Sequence, residues 1–434
     1  MPNDTLLSVE ALHADLDAWE SAIRTRHPRW HGRTDDAALA EAFAAVRSQI
    51  QAPLSRREAF RRLSRVNPAL GDAHALLMPT SIAPERGDAA LLPFDVRVVG
   101  DRILLQRTWR RASDGRVLTA GSSILAINGE SARHLLADFD ASGHGETPAL
   151  RRAMLGVLFG DWLYALRGWE SRFSITLEGE PEAIAIGPED GWRADVGDEA
   201  RWSPRLDRLD DAVAWLRLPT FDVDEDPEAF EAAINGIFSS LRRDAYTGLV
   251  IDIRGNTGGQ SDAGGHVASH LVATPILPAS RAVERLHADN NGWLDWRGAP
   301  GTMREISVDE DVAIKPAPAP RRFTGRVVLL IDGMTYSAAI VFATTLQDHG
   351  LATLVGTPTE GFGNQTGNMA PYVLPNSGLL AYIPAREFIR PNGDPARAPV
   401  VPDLTIPTFG RVEDEALDIA RRIASGERIS RAAP

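Results

Sequence analysis

Cysteine is absent from the 434 residues of the sequence, and lysine occurs only once, at Lys315. Without cysteine the chain can form no disulfide, no thiolate nucleophile and no Cys-based metal site. A catalytic lysine, where one is needed, would have to be Lys315. The sequence also lacks a run of about 18 apolar residues, the length that a membrane-spanning helix requires, so we expect no membrane as a partner.

The charge balance and the composition restrict the class of protein. The net charge of −13 argues against nucleic acid as a partner. A hydrophobic content of 44% and a charged content of 24% are typical of a globular protein. The N-terminal sequence contains no basic segment followed by an apolar one, so we expect no signal peptide and a cytoplasmic location.

Hydrophobic periodicity predicts an α/β fold with a helical N-terminal region and a small β-rich module, and the length predicts two or three domains. The predicted segments are, in chain order, a helical domain at 1–85 that carries His74, the β-rich module at 86–145, a helix–strand connection and linker at 146–202, an α/β domain at 203–410, and a terminal helix and tail at 411–434. Within the α/β domain, the Pro-rich segment 275–322 is expected to be a loop-like insertion that serves as a lid or binding element.

Ser337 stands between a predicted buried strand and a predicted helix. The strand is the apolar run Val327 to Ile331, Gly333 permits a sharp turn, and the helix closes at Gly350. A hydroxyl at this position lies at the positive end of a helix dipole, as in a nucleophile elbow, although the GxSxG signature is absent. The alternative is that Ser337 is only a helix N-cap, a role in which serine is common.

The sequence DIRGNTGG, residues 252–259, also follows a predicted strand and opens a predicted helix. Its adjacent Gly258 and Gly259 would expose backbone N–H groups, which can bind a phosphate or form an oxyanion hole. Neither the GxGxxG pattern nor the Walker lysine is present, so we expect no nucleotide cofactor. In an oxyanion hole, Gly258 or Gly259 would supply one N–H group and Ala338 the other.

Three histidines are candidates for functional groups. His74 lies beside Asp72 at the start of an apolar run, and is either a buried structural histidine or a general base. His266 and His270 are four residues apart on a predicted helix. No third ligand accompanies them, so packing is favoured over a zinc site. We therefore expect no metal and no cofactor.

Taken in order, several motifs resemble the tail-specific, or C-terminal processing, serine peptidases of family S41. They are GDAHALL at 71–77, DIRGNTGG at 252–259, GMTYSAA at 333–339, GTPTEG at 356–361, LPNSG at 374–378 and VPDL at 401–404. The histidine-containing first motif is similar to an element of the tricorn-like branch, which uses a histidine base. The resemblance implies an α/β core of the ClpP/crotonase type with an N-terminal helical domain.

The β-rich module carries a resemblance of its own. GSSILAINGES, residues 121–131, is similar to the signature of PDZ domains. The short segment implies a reduced PDZ-like module. Such a module either binds a peptide as an added strand at its sheet edge or only positions the catalytic domain.

The family resemblance implies a role for individual residues. Ser337 matches the nucleophile, His74 the base, and Gly258 or Gly259 together with Ala338 the oxyanion donors. The implied activity is hydrolysis of peptide bonds in peptide or protein substrates through an acyl-enzyme, and homo-oligomers are compatible with it.

Three features depart from the family pattern, and one is Ala73, where the tricorn-like branch has a serine just before the histidine. The lysine-dependent branch has its base where this sequence has Phe362, and Lys315 precedes the serine, so a Ser–Lys pair is absent. The tricorn-like branch has a downstream glutamate that this sequence lacks. Asp394, Glu387 and Asp72 are candidates for the acid that orients the base.

Two other functions are compatible with the same sequence. One is a non-catalytic lipid- or peptide-binding protein on this fold, which would need no reactive serine. The other is an esterase or a peptide-tailoring acyl transferase, because the same catalytic groups serve related acyl transfers.

Overall fold

The computed structural model of the chain describes residues 6–30, 36–195, 203–288, 290, 298–306, 308, 312–407 and 414–427. The chain forms two compact units, and each is built from separate stretches of sequence. The first unit comprises Met1–Gly197, Glu284–Arg304 and Thr366–Arg386. The second comprises Asp198–Val283, Glu305–Gln365 and Glu387–Pro434.

Helices dominate the N-terminal part of the chain and alternate with strands further on. They are α1 Val9–Arg26, α2 Asp36–Gln49, α3 Arg56–Leu63, α4 Asn67–Leu70, α5 Ala83–Arg86, α6 Ala132–Asp140, α7 Pro148–Leu155, α8 Phe159–Arg167, α9 Pro227–Arg243, α10 Ser261–Ser269, α11 Ala338–Asp348 and α12 Glu415–Ala424. Helix α3 begins with a capping box, in which Ser55 and Glu58 each accept a hydrogen bond from the other's backbone N–H. Across the described ranges, we find no helix with the length and apolar character needed to cross a membrane.

The strands form separate sheets in different parts of the chain. They are β1 Leu76–Leu77, β2 Val96–Val99, β3 Arg102–Leu105, β4 Trp109–Arg110, β5 Val117–Leu118, β6 Ser123–Ile127, β7 Glu130–Ser131, β8 Phe173–Leu177, β9 Ile184–Ile186, β10 Arg193–Ala194, β11 Arg205–Arg208, β12 Val213–Arg217, β13 Gly248–Asp252, β14 Arg281–Arg285, β15 Met303–Ile306, β16 Arg326–Ile331, β17 Thr353–Gly356, β18 Gln365–Val373, β19 Leu380–Ile389 and β20 Leu404–Thr405.

The segment 275–322 contains more regular structure than its proline content suggests. Strands β14 and β15 lie within it and belong to a five-stranded sheet of order β1-β19-β14-β15, with β18 beside β19. A loop-like conformation is therefore wrong for these two stretches, whose backbone groups are paired in a sheet. Residues 289, 291–297, 307 and 309–311 of this segment lie outside the described residues, and its role as a lid stays a prediction.

The first unit is built on an apolar core to which both its helices and its antiparallel sheet contribute. Trp19 of α1 packs edge-on against Phe43 of α2, with ring centroids 5.4 Å apart. The sheet has the order β2-β3-β6-β8-β9, with β7 beside β6. Because β8 and β9 belong to this sheet, the β-rich module continues past its predicted end at residue 145.

The second unit contains a mainly parallel sheet of order β11-β12-β13-β16-β17-β20, in which only β11 is antiparallel to its neighbour. Strand β13 and the last five residues of β16 are buried throughout, which explains their continuous apolar sequences. Helix α12 packs its alanines against β13, β16 and β17. The loops that follow β13 and β16 leave the same edge of the sheet, because the two strands are parallel neighbours.

His266 and His270 have a packing role, as the sequence predicts. The ring of His270 stacks on Phe238 with centroids 4.4 Å apart, and His266 meets it edge-on at 5.3 Å. Nδ1 of His270 lies 3.0 Å from the carbonyl oxygen of Arg321 and donates to it.

His270 makes the stability of the protein depend on pH. Burial lowers its pKa to about 4, whereas a histidine in an unfolded chain titrates near 6.5. Between these values the unfolded state binds the extra proton. Stability is therefore lost as the pH falls from about 6.5 towards 4, by up to ~1.4 kcal/mol per pH unit.

We expect His270→Phe, which keeps the stack on Phe238 but cannot titrate, to flatten this pH dependence. The measurement is the free energy of unfolding in urea at about pH 7 and about pH 5. His134→Phe is the control, because the side chain of His134 is 70% exposed. Equal pH dependence in wild type and His270→Phe would contradict the assignment.

Asp15 attaches helix α1 to the turn between β18 and β19. Its fully buried carboxylate accepts hydrogen bonds from the backbone N–H groups of Asn376 and Ser377, both at 2.8 Å, and from the side-chain amide of Asn376 at 3.0 Å. Asp15 lies far from this turn in the sequence.

Asp15→Ala is expected to lower the free energy of unfolding by about 2–4 kcal/mol, because it leaves the buried N–H of Ser377 and the N–H of Asn376 without their acceptor. Chemical denaturation checks this value. Asp17→Ala is the matched control on the same helix, since Asp17 is exposed and pairs with Arg47; a loss of at most ~1 kcal/mol is expected there. Equal losses in both variants would rule out the anchoring role.

Candidate active site

A buried carboxylate shapes the turn that leads from β16 to Ser337. Asp332 is fully buried, and its Oδ1 accepts hydrogen bonds from the backbone N–H groups of Met334 and Thr335, at 3.0 and 3.1 Å. The same oxygen accepts the N–H of Gly255, at 3.0 Å, from the loop that follows β13. One side chain therefore holds the two loops together.

Ser337 has a strained backbone at the start of helix α11. Its φ is 52° and its ψ is −126°, a region that L-residues rarely occupy and that costs about 1–3 kcal/mol. Its hydroxyl makes no capping hydrogen bond within the described part of the helix, so Ser337 is not an ordinary N-cap. The strained strand–turn–helix geometry is that of a nucleophile elbow.

The loop after β13 is fixed by Asn256, which is fully buried. Its side-chain oxygen accepts the N–H of Gly258 at 2.8 Å, and its amide nitrogen donates to the carbonyl of Leu218 at 2.9 Å. Its own carbonyl accepts the N–H of Tyr336 at 3.0 Å. The N–H of Gly258 is thus already used inside the loop.

Gly258 and Ser337 are in close contact. A Cβ at Gly258 would lie 2.6 Å from Cβ of Ser337 and 2.8 Å from the backbone nitrogen of Ala338, so only glycine fits. The carbonyl of Gly258 accepts the N–H of Phe221 at 2.9 Å. In a trans peptide the N–H of Gly259 points the opposite way, which makes Gly259 a better oxyanion donor than Gly258.

Ala338, the other predicted oxyanion donor, has its backbone nitrogen beside Gly258. It is the first residue of α11, and the first N–H groups of a helix have no intrahelical acceptor. The N–H groups of Gly259 and Ala338 therefore suit the oxygen of a substrate carbonyl that gains negative charge.

Gln365 holds the main chain of Ser337. Its Nε2 donates to the carbonyl of Ser337 at 2.7 Å, and the side chain is only 2% exposed. The same carbonyl accepts the N–H groups of Ile340 and Val341. These contacts fix the first turn of α11 and keep Ser337 in its strained conformation.

His74 lies in the first unit, in the turn that leads into β1. The turn begins at Gly71, which ends α4 in a left-handed conformation with φ 56°. The backbone N–H of His74 donates to Oδ1 of Asp72 at 2.9 Å, and its ring nitrogen Nδ1 lies 3.7 Å from the same oxygen. Strand β1 continues from this turn and pairs with β19, which positions the ring.

Asp72 is a buried, ionised carboxylate. Burial alone would raise its pKa, but the contacts with His27 and His74 and the charge of Arg29 hold the pKa of Asp72 well below its usual range. Nε2 of His27 lies 3.1 Å and the Arg29 guanidinium 3.6 Å from Oδ2 of Asp72. The hydroxyl of Thr366 also donates to this carboxylate.

The remaining acid candidates have other surroundings. Asp394 is exposed, and its carboxylate accepts the backbone N–H of Ala396 at 2.9 Å. Glu387 is half-buried towards the end of β19. Both belong to the second unit, whereas Asp72 lies beside His74 in the first.

The two positions considered for a lysine base, Phe362 and Lys315, have other surroundings. Phe362 lies beneath the guanidinium of Arg397, 5.2 Å from its ring centroid. Lys315 is exposed and follows Ile314, which bridges to Ile276. In the portion of the chain that the structure describes, no group of three or more His, Asp or Glu side chains could hold a metal ion.

The residues that hold the candidate groups in place are not predictable from the family motifs. Asp332, Asn256 and Gln365 organise the serine side, and Thr366 and His27 surround Asp72. Only Asp332 and Asn256 carry a local signal, because both accept N–H groups two or three residues further on in Asx-type turns.

Comparison with known proteins agrees with this geometry. Residues 212–406 match the sequence profile of peptidase family S41. Similar solved structures are a variant of CPAF (TM-score 0.71, 16% identity, covering 98% of this chain and 99% of that one), mature CPAF (0.63, 16%, 96% and 95%) and the photosystem II D1 C-terminal processing protease (0.50, 17%, 98% and 98%). At these identities the likeness establishes the fold, and it confirms the expected α/β core. Residues 212–406 therefore carry the domain of peptidase family S41, which supports a peptidase in general terms.

Proposed function

We propose that the chain is a serine peptidase in which Ser337 is the nucleophile and His74 the general base. The observation that carries the proposal is the conformation of Ser337. A non-glycine residue with φ 52° stands at a helix N-terminus, beside backbone N–H groups of two loops. Such strain persists only where the surrounding structure enforces it, and it is concentrated at functional sites.

In this mechanism Oγ of Ser337 attacks the carbonyl carbon of the scissile peptide bond. The carbonyl oxygen becomes negatively charged and is stabilised by the N–H groups of Gly259 and Ala338. Each such donor typically contributes about 3 kcal/mol to the transition state. The family pattern is compatible with Gly258 as well, but its N–H already donates to Asn256.

His74 accepts the proton of Ser337 and passes it to the leaving amine, which releases the C-terminal fragment. Water then attacks the acyl-enzyme, again with His74 as base, and frees the N-terminal fragment. An imidazole suits both steps because it exchanges protons near neutral pH. Asp72 is the acid that we assign to it, in preference to Asp394 or Glu387, because only Asp72 is buried beside the ring.

Strand β18 contributes one contact to Ser337 and one to the acid that we assign to His74. Gln365 donates to the carbonyl of Ser337, and the next residue, Thr366, donates to the carboxylate of Asp72.

Labelling with a fluorophosphonate tests the assignment of both groups. We expect the wild type to be labelled at Ser337, located by peptide mass spectrometry, and Ser337→Ala and His74→Ala to lose labelling and peptide hydrolysis by at least ~100-fold. The matched controls are Ser239→Ala and His134→Ala, which change an exposed serine and an exposed histidine.

A wild type that is folded but not labelled would rule out the serine mechanism and favour the non-catalytic binding protein. Retained labelling in His74→Ala would remove His74 from the mechanism and leave Ser337 with another base. Labelling of Ser337 without hydrolysis of any peptide would favour an esterase or acyl transferase.

Gly258→Ala is expected to lower the labelling rate by at least ~100-fold, because the added Cβ would lie 2.6 Å from that of Ser337. Gly255→Ala is the control. It also has a positive φ, 77°, but its added Cβ would meet no atom within 4 Å among the described residues. Comparable rates in the two variants would show that contact between Gly258 and Ser337 does not matter.

A further inference from the structure

Thr366 lies between the carboxylate of Asp72 and the imidazole of His74. Its Oγ1 is 2.8 and 2.7 Å from the two carboxylate oxygens and 3.3 Å from Nδ1 of His74. The carboxylate oxygen Oδ1 is itself 3.7 Å from that nitrogen, too far for a good hydrogen bond. All three residues are more than nine-tenths buried. The hydroxyl is therefore the group that connects the carboxylate to the ring.

The proton count of this arrangement fixes the tautomer of His74. A hydroxyl has one proton to donate, and an ionised carboxylate can only accept. The hydroxyl proton of Thr366 must therefore point to Asp72, and a lone pair of its oxygen faces Nδ1 of His74. Nδ1 must then carry the ring proton, which places the basic lone pair of the neutral ring on Nε2.

Asp72 is held in turn by a second histidine. Nδ1 of His27 accepts the backbone N–H of Arg29 at 3.1 Å, so Nε2 of His27 carries the proton that points to Asp72 at 3.1 Å. The backbone N–H of His74 donates to the other carboxylate oxygen. The carboxylate is thus fixed on both sides, and it orients the hydroxyl of Thr366 without any movement of its own.

We propose that Thr366 is a positioning residue for the general base, through a relay from Asp72 to the Thr366 hydroxyl to Nδ1 of His74. A threonine hydroxyl here takes the place of direct contact between an acid and the histidine. The relay holds the ring in the tautomer and orientation in which Nε2 can accept the proton of Ser337. This inference rests on the proposed function.

Other titratable groups surround the relay and are the same in all variants below. They are His27, Arg29, His144 and Glu146. Burial lowers the pKa of His144 to about 4 and raises the pKa of Glu146. A change in the pH profile that appears only on substitution of Thr366 can therefore be assigned to the relay.

The test compares Thr366→Val, which keeps the shape but removes the hydroxyl, with Thr366→Ser, which keeps the hydroxyl. The rate of fluorophosphonate labelling of Ser337 is measured against pH. We expect Thr366→Val to be roughly 10- to 100-fold slower near neutral pH, a part of what a general base contributes. Its acid limb should move to lower pH, because the protonated ring loses a hydrogen bond. Thr366→Ser should stay within roughly threefold of wild type with an unshifted limb.

Nitrogen NMR of the wild type with ¹⁵N-labelled histidine gives a second readout that needs no Thr366 variant. The His74 signals, identified by their loss in His74→Ala, should show a proton on Nδ1 and none on Nε2 at high pH. A neutral ring with its proton on Nε2 would overturn the relay, and so would a Thr366→Val variant with the rate and pH profile of wild type.

The two proposals fail in different ways. If the wild type is not labelled, or if His74→Ala is labelled normally, the proposed function fails and the relay with it. If labelling needs both Ser337 and His74 but its rate and pH profile are unchanged in Thr366→Val, the proposed function stands and only the relay is wrong.

Discussion

The carboxylate of Asp332 accepts the hydrogen bonds on which the serine side of the candidate site depends. From the end of β16 it accepts N–H groups of its own turn and of Gly255 in the neighbouring loop. Because parallel strands deliver both loops to one edge of the sheet, a single buried acceptor can join them. Asn256 and Gln365 then complete the support, and together these contacts offset the strain of the Ser337 backbone. The chemistry expected of this edge thus follows from backbone geometry set by buried polar side chains.

The histidine side is built by the same means in a different part of the chain. Asp72 is costly to bury as a charge, and His27, the His74 backbone and Thr366 compensate by donating hydrogen bonds to it. Each donor also restricts where protons can lie, so the network determines the form of His74 as well as its position. A buried charge of this kind is weak evidence for stability, and what its contacts show is that it orients the groups around it.

The elements that could be predicted from the sequence are those with a strong local pattern. The apolar strands before Gly255 and Asp332 and the helix after Ser337 follow from periodicity, and the ordered motifs point to family S41. The supporting contacts could not be predicted, because they join distant positions. Thr366 is separated from Asp72 by 294 residues, and no spacing rule connects a threonine in a strand with a carboxylate in a turn. The prediction of a loop-like conformation for the segment 275–322 is wrong for a different reason. Its prolines suggest a loop, but short stretches between them pair as strands.

A crystal structure of the phosphonylated protein would test the proposal that Ser337 is the nucleophile and His74 its base. This mechanism predicts a phosphorus bonded to Oγ of Ser337, with a phosphonyl oxygen roughly 2.7–3.1 Å from the backbone nitrogens of Gly259 and Ala338. It also predicts Nε2 of His74 within about 2.6–3.2 Å of Ser337 Oγ or of a phosphonyl oxygen. A different side chain in the place of His74, or a phosphonyl oxygen that faces away from both N–H groups, would contradict the account.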